Sequence, residues 1–461
     1  MPKLAAIVAW LLAPIMLAAM IAVSGPTNLM GDFRAFYCAG DAIAHGANPY
    51  LEEPLHSCEQ RARPPTPPVF LPSVTIPAPL PPGILVAFVP LSYLPFPFAA
   101  TLYGLLSIAA MSGAVLLFAQ ATGVSTVLLN LAFAAITATQ TYFLGQPEPF
   151  VFLALAAAAV LVRKRSWLGA SACAVAAGIE PHIALPVLLA MLVALPRTRV
   201  PIVFFSALLG LAGVAAVGLT TSIAYVLAVI PAHALSNAYE WQFSLTSILT
   251  SAGVGAPAAV RLGEAMYAIM AALGILVACR TQRTTGNRAA LVLLPPAFAV
   301  FGGVHIHMSQ IAIAFPALLM VQAHDPKRRN AAATAIALMM IPWNVLSASV
   351  MTGFTPLLVG WFARATMGSR RGLVLTAIAA LIAVSVLALA WAGFGPGETH
   401  FVAHAYPPGA LAEESWAYFS RTELARPSLL LQWLRVPVLA GLALGLLAIA
   451  RAAYTRAAAP A

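Results

Sequence analysis

The amino-acid sequence predicts an all-α polytopic membrane protein, and three observations support that prediction. Hydrophobic residues make up 61% of the 461 residues, only 8% are charged, and the mean hydropathy is +0.90. A soluble domain of this length needs far more charge to cover its surface. Apolar stretches of about 15 to 25 residues recur along the chain, which is the length of helix that crosses a ~30 Å hydrocarbon layer.

Twelve uninterrupted spans are predicted. The first could be a signal peptide, but its apolar run of about 20 residues is long and no small-residue cleavage site follows, so we expect a retained span. The spans lie at about residues 4–24, 98–119, 124–143, 149–162, 200–230, 257–279, 288–304, 307–323, 331–350, 354–366, 372–394 and 434–452.

One further apolar stretch is interrupted by Glu180-Pro181-His182, which leaves two halves of ~20 Å each. Basic clusters flank this stretch at residues 163–165 and 197–199. A single span would place them on opposite sides of the membrane, whereas a hairpin of two short helices keeps both inside. We therefore expect a hairpin with Glu180 and His182 at its outer tip, and about fourteen crossings in total.

The charge distribution predicts an external working face. In this topology 17 of the 24 Lys and Arg residues are cytoplasmic, and Asp325 is the one acid among 14 that is not outside. Acids contribute little to membrane orientation, so their segregation indicates function. The net charge of +10 reflects orientation rather than nucleic-acid binding, because no basic face with interleaved aromatic residues is present.

Two long outer segments, residues 25–97 and 395–433, suggest a division of the chain. The first contains a polar helix, a proline-rich stretch at residues 63–83 that is either a spacer or a lid over the substrate, and a short apolar helix. We expect a catalytic membrane module over residues 1–325 and C-terminal membrane helices over residues 326–461.

The polar helix lies within GDFRAFYCAGDAIAHGANPY, residues 31–50. One face is apolar and the other holds Arg34, Cys38, Asp41 and His45, so we expect the helix to lie flat at the membrane interface with its apolar face in lipid or protein. Asp32 stands at its first position, where a carboxylate is either a helix N-cap or a catalytic base.

Four cysteines are too few for a disulfide scaffold or a zinc cluster. Cys38 and Cys58 share the outer side. They either form a disulfide, which would stabilise the fold by ~3 kcal/mol in the chain-entropy model, or remain free thiols. Cys173 and Cys279 are expected within or at the inner end of spans.

Three further polar sites are candidates for substrate contact. HIHMSQ begins a predicted span with His305 and His307, a pair that could bind metal, touch a polar substrate or simply lie at the interface. Positions i and i+2 diverge on a helix, so a metal is not indicated and no cofactor is expected. Glu148 and Glu240 either contact substrate or are solvated loop residues.

Residues 31–50 resemble the first outer loop of the GT-C glycosyltransferases, specifically glycosyltransferase family 87, whose members carry Asp-Phe-x-x-(Phe/Tyr)-Tyr and then Gly-x-x-Pro-Tyr. PPGILVAFVPLSYLP at 81–95, GQPEPFVFLALAAAAVLVRKR at 145–165 and IEPHIALPVLLAML at 179–192 are similar to further family segments, and the matches extend over about residues 1–325. Glu180 stands where the family usually has Lys, and Pro147-Glu148 where Asn is common.

The resemblance implies a GT-C-like multispan bundle that transfers a sugar, such as mannose or another hexose or pentose, from a polyprenyl-phosphate donor. The acceptor would be a lipid or glycan outside the bacterial cytoplasmic (inner) membrane. The resemblance makes Asp32 the general base, and Arg34, Arg61, Arg63 or Arg261 the phosphate ligand. The donor- and acceptor-binding candidates are Arg34, Tyr37, Asp41, Gln146, Glu148, Glu180, His182, Arg261, His305 and His307.

A transporter or lipid flippase is the alternative, and a structural membrane subunit is a third reading. Transporters usually place ionisable groups near the bilayer midplane in broken helices. Here the predicted midplanes are nearly free of charge and the acids line one face, which favours an enzyme that works at the interface.

Overall fold

The computed structural model describes residues 2–24, 29–62, 74–136, 141–341, 349–389, 391–392, 406–422 and 435–455. Within these ranges the chain is helical and contains no β-strand, which confirms the all-α prediction. Arg63 and the rest of the proline-rich stretch up to residue 73 lie outside the described residues.

The described α-helices follow the predicted apolar stretches closely. In chain order they are α1 (Pro2–Ser24), α2 (Gly31–Ala44), α3 (Glu52–Arg61), α4 (Pro82–Leu85), α5 (Val89–Ser92), α6 (Phe96–Thr122), α7 (Thr126–Ile136), α8 (Glu148–Arg163), α9 (Trp167–Ala176), α10 (Pro181–Ala194), α11 (Arg199–Ala224), α12 (Ile230–Asn237), α13 (Leu245–Ser251), α14 (Ala256–Thr285), α15 (Ala290–Ala299), α16 (Met308–Ile311), α17 (Phe315–His324), α18 (Arg329–Met339), α19 (Ser349–Met367), α20 (Ser369–Leu389), α21 (Ala412–Thr422) and α22 (Arg435–Thr455).

Four stretches among the described residues are long and apolar enough to cross a bilayer. Leu208, Leu211 and Leu276 are exposed on two of them, as lipid-facing side chains are. The four are Phe96–Thr122, Pro196–Asn237, Ala256–Thr285 and Arg435–Tyr454. Some other predicted spans match shorter helices, such as α15 with 10 residues, which is ~15 Å long. The protein is therefore a polytopic membrane protein, while fourteen crossings stay a prediction.

The interrupted stretch forms the predicted hairpin. A 3-10 turn (Ala177–Ile179) ends α9, and Glu180 has extended backbone with φ of −111° and ψ of 90°. The ring of Pro181 disfavours helical geometry at the preceding residue and starts the next helix, α10. The turn at residues 196–198, after α10, packs against α9. The chain therefore doubles back, as the flanking basic clusters predict.

The helix α2 packs against other parts of the protein, while its position at the membrane interface stays a prediction. Its apolar face packs through Phe33, whose ring centre is 4.3 Å from that of Tyr103. Its other face is covered as well, because Arg34 is 3% exposed and Cys38 forms a disulfide with Cys58 of α3. Gly40 allows the close approach of Phe88, since a Cβ there would lie 2.7 Å from the Phe88 backbone.

The two outer segments are joined. Leu51 and Leu411 form an antiparallel bridge, in which Glu52 N donates to Ala410 O at 2.9 Å and Ala412 N donates to Tyr50 O at 3.0 Å. The helix that follows, α21, packs on α3 and α12. The part of the chain after residue 325 thus supplies a helix to the same end of the bundle as α2, and the predicted boundary at 325 stays a prediction.

Single-cysteine labelling tests the orientation of this hairpin. In a background with Cys173 and Cys279 replaced by alanine, Gly178→Cys at the tip has open space for its Cβ, and Arg197 at the other end is exposed. An impermeant thiol reagent added to intact cells should modify Gly178→Cys, and should modify Arg197→Cys only after permeabilisation. External labelling of Arg197→Cys would contradict the orientation.

Candidate active site

Five carboxylates from separate parts of the chain converge near the start of α2, and we call them the carboxylate cluster: Asp32, Glu148, Glu180, Glu240 and Glu413. The negative charges of Glu148 and Glu240 both act on Asp32, Glu148 acts on Glu180, and Glu413 acts on Glu240. Among the described residues no lysine or arginine forms an ion pair with any of the five.

Asp32 is not a helix cap in this structure. Met30 occupies the N-cap position of α2, and no side chain caps that helix end. The Asp32 carboxylate instead accepts a hydrogen bond from the Gln146 side chain. Gly145 lets the loop that carries Gln146 approach α2 closely. Its φ is 77°, and a Cβ at this position would lie 2.7 Å from the Phe33 Cβ.

The environment of Asp32 suits a base at neutral pH. Burial raises the pKa of Asp32 from 3.8 to about 7, and the nearby charges of Glu148 and Glu240 act in the same direction. The hydrogen bond from Gln146 favours the ionised form and opposes them. A carboxylate with a pKa near the working pH accepts protons effectively.

Glu148 is fully buried, so the expectation of a solvated loop residue is wrong. It begins α8 directly after Pro147. Its Oε1 accepts a hydrogen bond from Ser309 Oγ at 2.6 Å, and its Oε2 has no hydrogen-bond partner among the described residues. A buried carboxylate oxygen without a donor is free to accept a hydrogen bond from a bound molecule.

The hairpin tip brings Glu180 and His182 to the cluster. Gln310 Nε2 donates to Glu180 Oε2 at 3.3 Å, and His182 Nδ1 lies 3.5 Å from the same oxygen. Gln310 is itself held in place, because its Oε1 accepts from His307 N at 2.9 Å. Tyr267 OH donates to His182 O at 2.7 Å and fixes the tip against α14.

Four histidine rings lie beside the carboxylates. The ring centres of His305 and His307 are 4.3 Å apart, and His305 lies 4.8 Å from His233 and 6.1 Å from His182. Burial lowers the pKa of His305 well below its usual value and that of His307 to about 3, so both imidazoles are neutral at pH 7. The described residues contain no group of three or more acids, cysteines or histidines arranged to hold a metal ion.

Gln242 organises the loop that holds Glu240. Its Nε2 donates to Asn237 Oδ1 at 2.6 Å and to Glu240 Oε2 at 2.8 Å. Its Oε1 accepts from Ile306 N at 3.1 Å. Burial raises the pKa of Glu240, and the indole N–H of Trp416, which donates to its Oε1, opposes that shift.

The C-terminal helix α21 contributes Glu413 as well as Trp416. Glu413 is 1% exposed, and its carboxylate pairs with His233 Nδ1 at 3.1 Å and accepts from Ser236 Oγ at 3.2 Å. None of these contacts is visible in the sequence, where about 180 residues separate the partners. The site therefore combines residues from both halves of the chain.

The remaining sequence candidates lie apart from the cluster. Arg34 is buried with its guanidinium 5.5 Å from the Phe96 ring centre, and the charge of Glu59 partly offsets the effect of burial on its pKa. Asp41 forms an ion pair with Arg61 at 3.5 Å. Tyr37 OH donates a hydrogen bond to Leu94 O at 2.8 Å. Arg261 is exposed on the surface of α14.

Residues 80–301 match the model of glycosyltransferase family 87. The chain is similar to this family over that region, which is just under half of its 461 residues. Searches with the chain find no matching curated protein and no matching solved structure. The matched region contains Gln146, Glu148, Glu180 and Glu240 of the site, whereas Asp32 and Glu413 lie on either side of it. The match indicates that this membrane protein is a glycosyltransferase, and the carboxylate cluster is its candidate active site.

Proposed function

We propose that the protein transfers a sugar from a polyprenyl-phosphate donor to a hydroxyl of a lipid or glycan acceptor, on the outer face of the cytoplasmic membrane. The supporting observation is the enclosed carboxylate cluster, with a carboxylate whose pKa is about 7, in a membrane-spanning protein that matches a glycosyltransferase family. Mannose or another neutral hexose or pentose is the proposed sugar.

In the proposed reaction Asp32 is the general base. The acceptor oxygen forms a bond to the anomeric carbon while the bond from that carbon to the phosphate oxygen breaks. The hydroxyl proton passes to the Asp32 carboxylate, and the bonding electron pair leaves with the lipid phosphate. A neutral hydroxyl is a poor nucleophile, so removal of its proton in the transition state accelerates attack by about 10²–10⁴-fold.

The rest of the cluster suits a neutral sugar. Carboxylates such as Glu148 and Glu180 accept hydrogen bonds from sugar hydroxyls, and the neutral imidazoles of His305 and His307 can donate or accept. An anionic sugar would meet several like charges, and such contacts are strongly unfavourable in a buried site. We therefore propose an uncharged hexose or pentose rather than a uronic acid or a sulfated sugar.

The positions of the acids favour this reading over a transporter. Glu148 begins α8, Glu180 lies at a hairpin tip and Glu240 lies in the loop after α12. These are helix ends, where a lipid head group and a soluble or lipid-bound acceptor can meet, whereas a transporter typically binds its cargo midway along broken helices.

Replacement of the base is the first test. Asp32→Asn keeps the shape of the side chain but removes the proton acceptor, so kcat for sugar transfer should fall by at least ~10²-fold. The assay follows transfer from radiolabelled polyprenyl-phosphate sugars by purified protein. Glu264→Gln, an exposed acid on α14, is the control and should retain activity. Near-full transfer by a folded Asp32→Asn protein would disprove the role.

The pH profile of kcat/KM is the second test. Asp32 must be ionised to accept a proton, so activity should rise with pH through about 7. Glu148→Gln removes a negative charge that raises the Asp32 pKa, so the rising limb should move to lower pH. Gln146→Leu removes the hydrogen bond that favours ionised Asp32, so the limb should move to higher pH. Shifts that are absent, or in the reverse directions, would contradict the assignment.

A further inference from the structure

Arg435 is a buried cation without a counter-charge in the described part of the chain. It is the first described residue of α22 and is 3% exposed. Its Nε and one terminal nitrogen have no hydrogen-bond partner, and within the described ranges no carboxylate is in ion-pair distance. An uncompensated buried charge costs several kcal/mol, so we expect Arg435 to have an anionic partner beyond the described residues.

The surroundings of Arg435 connect it to the candidate active site. Its second terminal nitrogen donates to Ser247 Oγ at 3.2 Å. Ser247 Oγ in turn donates to Glu240 O at 2.5 Å and accepts from Gln242 N at 3.2 Å. The guanidinium also lies 6.0 Å from the ring centre of Trp241. The Glu240 side chain therefore lies in the carboxylate cluster, while the backbone oxygen of Glu240 is linked to Arg435 through the Ser247 hydroxyl.

The carboxylate cluster holds no unpaired cation for a phosphate among the described residues. The His233 ring pairs with the Glu413 carboxylate at 3.1 Å, so its charge when protonated is balanced there. Low pKa values keep His305 and His307 neutral. Arg34 lies beside the charge of Glu59, and Arg61 pairs with Asp41. A leaving phosphate needs a cationic partner, because negative charge develops on its oxygen as the bond to the sugar breaks. Arg34 also has a buried Nε without a hydrogen-bond partner, whereas Arg435 has two such nitrogens, and no carboxylate effect on its pKa is found among the described residues.

We propose that Arg435 binds the phosphate group of the lipid-linked donor, with Ser247 beside it. Guanidinium forms strong charge-assisted hydrogen bonds to phosphate oxygens. Arg435 begins an apolar helix long enough to cross the membrane, so a phosphate bound there would sit at the edge of the hydrocarbon layer with its prenyl chain in lipid. The lipid source of the phosphate rests on the proposed function.

Binding can be measured without sugar transfer. Purified full-length protein in nanodiscs is titrated with farnesyl phosphate, farnesol and inorganic phosphate, and the dissociation constant is measured by calorimetry. Wild type should bind farnesyl phosphate much more tightly than farnesol. Arg435→Gln should weaken farnesyl phosphate binding at least about tenfold, Arg435→Lys should lie between, and Arg421→Gln, an exposed arginine in α21, should match wild type.

Each outcome is decisive. Equal binding of farnesyl phosphate and farnesol by wild type, or unchanged binding in Arg435→Gln, overturns the site. Inorganic phosphate that binds as tightly as farnesyl phosphate, and depends on Arg435, would contradict the lipid source. If Arg435→Gln does not fold, the comparison of farnesyl phosphate with farnesol in wild type and the Arg435→Lys variant decide the matter. Arg435-dependent binding without transfer from any donor would refute the proposed function and leave the phosphate site standing.

Discussion

The enclosure of several carboxylates in one space is the constraint on which the rest of this structure depends. Like charges that are buried together raise one another's pKa values and resist ionisation. The protein limits the cost with hydrogen bonds from neutral side chains, such as Gln146 to Asp32 and Ser309 to Glu148. The burial of Asp32 therefore has a chemical consequence, because it raises the pKa of this carboxylate to about 7.

The packing of the outer segments maintains that enclosure. The disulfide between Cys38 and Cys58 fixes α3 to α2, and the bridge between Leu51 and Leu411 fixes α21 beside them. Because α21 supplies Glu413 and Trp416, loss of this contact would open the cluster to water and change its electrostatics. Arg435 contacts Ser247, whose hydroxyl donates to the backbone oxygen of Glu240 rather than to its carboxylate.

Local sequence signals predicted the helices and the hairpin, because proline, basic flanks and apolar length act over a few residues. The role of Asp32 came from the family resemblance and stays a proposal. They could not predict which polar residues meet. Glu413 contacts His233 across 180 residues, and Gln242 contacts Ile306 across 64, so these partners depend on tertiary packing. Arg435 carries no signal in the sequence beyond its place at the start of a predicted span. The amphipathic pattern of α2 likewise did not show that protein covers Arg34 and Cys38 on its polar face.

A structure of the protein with a non-transferable polyprenyl-phosphate sugar analogue and its acceptor tests the central claim most directly. We expect the acceptor hydroxyl to lie within about 2.6–3.2 Å of the Asp32 carboxylate. The sugar hydroxyls should contact the other members of the carboxylate cluster. A sugar bound away from the cluster, or an acceptor hydroxyl that faces a different base, would contradict it.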